Sequence, residues 1–446
     1  MKRNFLVFAG FLAALLVPGF FFEDQFLGQA TGVVASCLFL WLFEVVPSFV
    51  PTLVLILLSS QWLGASNPEI NLAKLIGWGM DPVLLLFFGG FCLSVVITEQ
   101  SLDEHMVRAI VRISHKSKKR LIAFTLLSSA FLSMWMSNVA AATLLLVAFK
   151  GIYSHRSLGR DVKIPLLLAI SLGSSFGGML TPLSSGPNGI AMAAIQPFRH
   201  ITFIDWMMLS LPIASGLLLL SYFYLVKFYK LKGPIIFNDE DLPKISKTLT
   251  KNEKLTCILG GLAILLYMTE PLHGISTPIV SLGLSVALVS TGIFTADDLK
   301  KIDWSMLILL AGGMILGRLV EETGLLEMIF QKIKGYGFQG AGLLGVLVWL
   351  CAMMSAVMSN TATATILIPA ALKLLPGVPE VSIVLAISAS LGIPFIISSP
   401  MNVAIRAEGV SAKDIFIPGI LLLILGCVIV SLTGIEFLGF IFKASN

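Results

Sequence analysis

Two short polar motifs lie inside long apolar stretches of this chain. Ser133–Thr143 reads SMWMSNVAAAT and Ser355–Thr365 reads SAVMSNTATAT. Hydroxyl and amide groups at bilayer depth are costly unless they bind something. One such Ser-Asn pair is explained by hydrogen bonding between helices. Two of them, in matching halves of one chain, point to a site built by internal repetition.

The surrounding composition is that of a multi-span membrane protein. Of 446 residues, 57% are hydrophobic and 12% charged, and the mean hydropathy is +0.94. A crossing takes about 20 apolar residues, so roughly ten to twelve fit. The net charge of +5 says nothing of nucleic acid, because the basic residues fall in loops beside the apolar runs. Five cysteines (Cys37, Cys92, Cys257, Cys351 and Cys427) form no CxxC pair. Neither a disulfide frame nor a zinc site is expected from them. Residues 1–27 read as a retained extra N-terminal span, since no small-x-small cleavage site follows the apolar run.

Taken in order, spans are expected at 5–22, 28–46, 48–65 and 79–99. Residues 101–115 place Leu102, Met106, Ile110 and Ile113 on one face and Arg108, Arg112 and Lys116 on another, as in an interfacial helix. The apolar stretch 121–149 lies between two cationic runs, Lys116–Arg120 and Lys150–Lys163. If basic loops stay in the cytoplasm, both its ends lie on one side. The stretch then enters and returns as a hairpin with Ser137-Asn138 at its tip. Residues 164–198 are too long for a simple span and carry Gly173, Gly177-Gly178, Pro182 and SSGPN at 184–188, the marks of a helix broken near mid-membrane. A span at 205–226 leads to a lysine-rich loop.

The second half repeats this order. Spans are expected near 255–270, 276–294 and 302–322, then an amphipathic piece at 324–334 and a hairpin at 340–375 with Ser359-Asn360-Thr361 at its tip. A broken helix at 380–408 is interrupted at Pro394 and at SSPMN, 398–402, and a last span covers 414–442. FFGGFCLSVVITEQSL (87–102) aligns with LAGGMILGRLVEETGL (310–325) at an offset of 223. The tips are offset by 222 (359 − 137), and the asparagines of the breaks by 214 (402 − 188). The fold expected is an all-α polytopic membrane protein of about 11 transmembrane spans in two inverted repeats. The repeats cover 28–230 and 254–446, with a cytoplasmic linker at 231–253. Basic residues concentrate in the segments this topology puts inside, so the N-terminus is expected in the cytoplasm and the C-terminus outside, in the cell inner (plasma) membrane.

At a tip or a break one half-helix ends in carbonyls and another begins in free N–H groups. Serine and asparagine cap the second half and leave oxygens for a cation. No Lys, Arg, Asp, Glu or His lies at either tip or either break. A dianion would meet only helix ends, each worth roughly half an elementary charge, so co-bound cations would help to hold it. That favours coupling to a cation. No nucleophile–base pair, metal cluster or phosphate loop marks an enzyme.

Paired tips of the Ser-Asn-Thr type, each followed by a broken helix with a Ser-Pro-x-Asn-like element, resemble the divalent anion/sodium symporter family of dicarboxylate and tricarboxylate transporters. LFEVVPSFVPTLVLILL (42–58), with Glu44 and Pro47, resembles that family's second-to-third span signature. The resemblance covers nearly the whole chain. It implies a homodimer with scaffold spans and a transport domain that moves like an elevator, linked by the interfacial helices. By motif, one sodium site would use Ser133, Ser137, Asn138 and the chain at Ser184, and the other Ser355, Ser359, Asn360 and the chain at Ser398. Substrate carboxylates would meet Ser137, Asn138, Ser185 and Gly186 on one side. On the other they would meet Ser359, Asn360, Thr361, Ser399 and Pro400. Val139 stands where the family tip has threonine, so one hydroxyl contact is absent, and neither break carries the double proline frequent in the family.

Three functions fit: sodium-coupled transport of an organic dianion such as succinate, sodium-independent exchange of one dicarboxylate or tricarboxylate for another, and, from another class, an ion channel, an inorganic-anion transporter or a sodium-proton type antiporter. Arg318 is expected to snorkel or to pair with Glu321 or Glu322, Arg406 to pair with Glu408, and Glu44 to be structural. Gly89-Gly90 and Gly312-Gly313 read as close helix contacts.

Overall fold

A computed structural model describes residues 2–43, 46–114, 117–154, 159–234, 249–325 and 340–444. Among these the chain is almost wholly helical, and no strand forms. Helix α1 (Lys2–Leu16) and helix α2 (Gln25–Phe43) precede α3 (Val50–Leu58), which runs on through a π turn at Ser59–Leu63. Helices α4 (Leu72–Gly79) and α5 (Val83–Glu99) meet at a bend of 55°. The span expected at 79–99 is α5, and with α4 it makes one longer apolar run. Asp81 and Pro82 break it, because Pro82 supplies no N–H and the Asp81 carboxylate accepts from the Val83 N–H at 2.8 Å.

Helix α6 (Leu102–Ile113) is the expected amphipathic piece, with a shifted face. Val107, Ile110 and Val111 are buried, whereas Ile113 is exposed. The amphipathic piece expected at 324–334, most of the linker 231–253, and Glu44 lie largely or wholly outside the described residues.

The stretch 121–149 is not one helix. Helix α7 (Lys118–Ser133) ends, the chain turns through Met134–Ser137, and α8 (Asn138–Ala148) returns. The next long run also divides, into α9 (Arg160–Gly177) and α10 (Gly186–Ile195). The second half makes the same moves. After α11 (Phe203–Phe228), α12 (Lys251–Met268), α13 (Thr277–Ser290) and α14 (Trp304–Glu322) come the hairpin arms α15 (Gly340–Val357) and α16 (Asn360–Leu374). A second divided run follows as α17 (Val381–Ala389) and α18 (Pro400–Ala407), and α19 (Ala412–Ala444) closes the chain.

Among the described residues three helices are long and apolar enough to cross a membrane: α11, α14 and Ala412–Gly434 within α19. The bent pair α4–α5 makes a fourth. The about 11 crossings counted from apolar runs are therefore not 11 long helices, because several runs are interrupted and the rest form shorter apolar helices.

Close contact between helices rests on glycine, as expected. A Cβ on Gly89 would lie 2.6 Å from the Ser281 carbonyl oxygen, and one on Gly312 would lie 2.0 Å from Thr52 Oγ1. The bundle centre is where the two halves exchange partners. Each first half-helix, α9 or α17, lies against both arms of its own hairpin. Each second half-helix lies against the other half's hairpin, α10 on α16 and α18 on α8. Both breaks and both tips are thus drawn into one region.

Candidate functional site

Each tip is built by the same local chemistry. Ser137 is extended (φ −61°, ψ 146°), and its hydroxyl oxygen accepts from the Ala140 N–H at 3.2 Å. Ser359 repeats this (φ −64°, ψ 139°) with the Ala362 N–H at 3.1 Å. These are N-caps, and they start the return helices with free N–H groups facing the turn.

Behind each cap lies a cluster of oxygens. Ser133 Oγ is 2.9 Å from Asn138 Oδ1 and 2.7 Å from the Ser174 carbonyl oxygen. Ser355 Oγ is 2.7 Å from Asn360 Oδ1 and also contacts the Ala389 carbonyl oxygen. A serine hydroxyl carries one proton. It can donate to only one of its two acceptors at a time, so each triad holds more oxygen lone pairs than protons. Neutral hydroxyl, amide and carbonyl oxygens in this arrangement fit a hard cation such as sodium. Among the described residues no group of three or more His, Cys, Asp or Glu is placed to hold a metal.

The breaks are stapled by asparagine. Asn188 Nδ2 donates to the carbonyls of Gly178 (2.8 Å) and Thr181 (2.7 Å). Asn402 Nδ2 donates to those of Ile393 (3.0 Å) and Phe395 (2.9 Å). Ser184 Oγ lies 2.7 Å from the Gly178 carbonyl oxygen, and Ser398 Oγ donates to that of Phe395 at 2.7 Å. Carbonyls freed by a helix break in an apolar interior need such partners.

The two breaks then differ. Ser399 Oγ accepts from the Met401 N–H at 3.2 Å, and Asn402 Oδ1 accepts from Ser171 at 3.0 Å. Ser185 Oγ and Asn188 Oδ1 are buried without a partner among the described residues. Such orphans are costly, and they leave the first break with unspent capacity for a ligand or water.

Tip and break touch within and between halves. A Cβ on Gly178 would lie 1.8 Å from Asn138 Oδ1, and one on Gly186 would lie 2.3 Å from Thr361 Oγ1. Gly186 and Thr361 were assigned to opposite sides of the substrate, yet they are neighbours, because α10 lies on the other half's hairpin. Of the residues carried over by motif, Ser133, Ser355, Ser184, Ser185, Gly186, Thr361, Ser398 and Ser399 are buried, with Asn138 at the margin. Ser137, Ser359 and Asn360 are partly accessible, and Val139 and Pro400 are exposed. The carbonyls of Ser174 and Ala389 and the staples Asn188 and Asn402 were not among the expected site residues. The two asparagines had a signal, since they recur in both breaks. Backbone carbonyls have none in a side-chain pattern.

One helical turn from this region lies a cavity of about 320 Å³, lined by Ile190, Gly313, Arg318, Pro369 and Lys373 among others. A Cβ on Gly313 would meet Thr365 Oγ1 at 2.8 Å and Ile190 at 3.1 Å. Thr365 and Ile190 sit one turn beyond Thr361 and Gly186. At its rim Arg318 pairs with Glu321 at 3.4 Å, as expected, and Glu321 also takes Lys373 at 3.6 Å. Arg406 does not pair with Glu408. It donates to the Val410 carbonyl at 3.0 Å, while Glu408 meets the Tyr153 hydroxyl.

The profile of a family described as citrate transporter matches residues 38–377 and 264–445. The chain is 24% identical to the Staphylococcus aureus sodium-dependent dicarboxylate transporter SdcS over 95% of this chain and 89% of that protein. It is 23% identical to the Saccharomyces cerevisiae inorganic phosphate transporter PHO87 over 83% of this chain and 40% of that protein. The fold matches the crystal structure of the Alcanivorax borkumensis YdaH transporter with a TM-score of 0.56 and 16% identity, covering 90% of this chain and 98% of that one. The chain is an integral membrane transporter rather than an enzyme, and it belongs to the citrate transporter family of the ion transporter superfamily.

Proposed function

We propose that this transporter moves an organic dicarboxylate or tricarboxylate, coupled to sodium, by an elevator motion. The observation that carries the proposal is the doubled oxygen triad, Ser133–Asn138–Ser174 and Ser355–Asn360–Ala389, one behind each capped tip. In this reading each triad holds one sodium ion. The ions offset the charge of an anion that otherwise meets only helix ends and hydroxyls from Ser137, Ser185, Ser359, Thr361 and Ser399. The cavity beside Ile190 and Gly313 is the approach to that anion site. The named activity of the Staphylococcus aureus relative supports this choice of substrate and ion.

The same proposal takes residues 28–230 and 254–446 as inverted repeats behind an extra span, 1–27, joined by the linker 231–253. It also takes the protein as a homodimer in the plasma membrane with its N-terminus in the cytoplasm. The exchange of partners between the hairpins and the second half-helices supports a repeat built to enclose one central site.

The test is anion uptake by purified protein in liposomes. Uptake is expected to need sodium and to rise more steeply than first order in it. Equal uptake with choline in place of sodium removes the coupling. Ser133→Ala and Ser355→Ala are each expected to raise the sodium concentration for half-maximal uptake about tenfold, the cost of roughly one lost charge-assisted contact.

A second reading, transport of an inorganic anion, is favoured by the similarity to PHO87 and by Val139, which offers no hydroxyl at the first tip. Counterflow over a panel of phosphate, succinate and citrate separates the two. Val139→Thr is expected to shift preference toward the dicarboxylate with little change in melting temperature, because Val139 is 40% exposed and has room for a hydroxyl. An unchanged preference would show that this position does not read the substrate.

A further inference from the structure

Away from the tips, the structure holds a buried carboxylate with half of its capacity unused. Glu270 begins a one-turn helix, Glu270–His273, in the link between α12 and α13, and is 5% exposed. Its Oε1 lies 3.3 Å from His200 Nε2. Its Oε2 is buried with no hydrogen-bond partner among the described residues. The other buried acidic side chain among the described residues, Asp298, shows the contrast. It receives Lys301 at 2.8 Å together with the Thr295 N–H and hydroxyl.

Glu270 lines a cavity of about 140 Å³ where three parts of the chain meet: the start of α5, the end of α10 with the link to α11, and the α12–α13 link. Volume for a few waters is present. The charged and titratable groups around the carboxylate come from each part. Asp81 comes from the α5 side and Arg199 and His200 from the link after α10. His273 lies on Glu270's own turn. Arg199 is engaged by Glu380 at 3.2 Å. His273 Nδ1 accepts from the Ile275 N–H at 3.0 Å, which leaves its Nε2 to donate to the Leu266 carbonyl at 2.9 Å. Both of its ring nitrogens are thus engaged locally. His200 is the histidine in contact with Glu270.

Two cationic side chains in the wall, Arg199 and His200, disfavour a metal cation here. A proton meets no such obstacle. Bound to Oε2, it removes a buried charge and turns an unpartnered acceptor into a donor facing the cavity. Burial already pushes the Glu270 carboxyl up from its ordinary range, with His200, the Phe203 N–H and His273 opposing.

We infer that Glu270, at the cavity between the α10–α11 link and the α12–α13 link, is a proton-binding site, with His200 as its charge partner. Protonation of Glu270 dissolves the His200 ion pair. It thereby loosens the contact between the far end of the first divided helix and the neighbouring loop. The tie forms when Glu270 is ionised and His200 charged. It is lost as pH falls through the raised Glu270 value.

The experiment is infrared difference spectroscopy on the full-length protein in lipid, titrated with pH. A protonated-carboxyl band is expected with its midpoint above the ordinary glutamate value of about 4.3. It is absent in Glu270→Gln and retained in Asn138→Ala, so it is read independently of whether the tips carry transport. His200→Gln removes a nearby positive charge, and the midpoint is expected to move up by about half a unit, the exposed histidine being partly screened. Glu270→Gln that leaves every titrating band in place overturns the inference. If that variant does not fold, an unmoved midpoint in His200→Gln overturns it equally.

Discussion

Alanine at both Asn138 and Asn360 is expected to abolish coupled uptake while the protein remains folded. Each asparagine supplies one oxygen to a triad in which a single serine proton faces two acceptors. Removing the amide costs the bound cation a ligand. It costs the fold little, because Ser133 still has the Ser174 carbonyl and Ser355 the Ala389 carbonyl as acceptor. A lost polar ligand in a dry site is worth about 1–3 kcal/mol, or roughly 5- to 150-fold in apparent sodium affinity. Two such losses on ions that bind together with the anion take uptake below detection. Each single variant should show a raised sodium requirement, and thermal unfolding should shift by a few degrees at most. Normal uptake in the double variant would remove the triads as sites.

Gly178→Ala is expected to reproduce most of that loss with a single methyl group. Gly178 has φ −65° and ψ −11°, which alanine adopts freely, so no backbone strain enters. The new Cβ would lie 1.8 Å from Asn138 Oδ1. The amide must swing away from Ser133, and the first triad opens. Its neighbour makes a control of opposite kind. A Cβ on Gly177 would meet the Ala130 backbone at 2.3–2.4 Å, and backbone cannot swing aside. Gly177→Ala should therefore lower the melting temperature, with an overpacking cost of about 1–3 kcal/mol or more. Gly216, with nothing within 4 Å of its Cβ position, should accept alanine with no loss. Uptake assays beside melting curves for the three variants separate site damage from fold damage. Full sodium-dependent uptake by Gly178→Ala would show that the amide position is not critical.

The hairpins were legible because charge and hydropathy conflict in the sequence. An apolar run of hairpin length between Lys116–Arg120 and Lys150–Lys163 cannot cross once without exporting a cationic run. The divided helices were legible from Gly177-Gly178, which lift the side-chain constraint on the backbone, and from Pro187, Pro394 and Pro400, which each remove a donor. The bend at Asp81-Pro82 rests on the same chemistry and falls at the start of the span expected at 79–99. The face of α6 was misread at Ile113. Helical periodicity ranks apolar residues by angle, and the neighbouring elements decide which angle is covered.

Local polarity and its repetition along the chain were enough to place two capped tips and two breaks in a membrane protein, since capping and helix breaking depend on residues within a few positions of each other. Which oxygens meet was settled only by the fold. Ser174 lies 41 residues from Ser133, and Ala389 lies 34 from Ser355; each contributes a carbonyl that every residue possesses. Thr361 rests on Gly186 because α10 crosses to the other half's hairpin, and Glu270 is left with a bare oxygen because three distant segments close around it. Such contacts depend on how helices lie against one another, a geometry that no stretch of sequence carries alone.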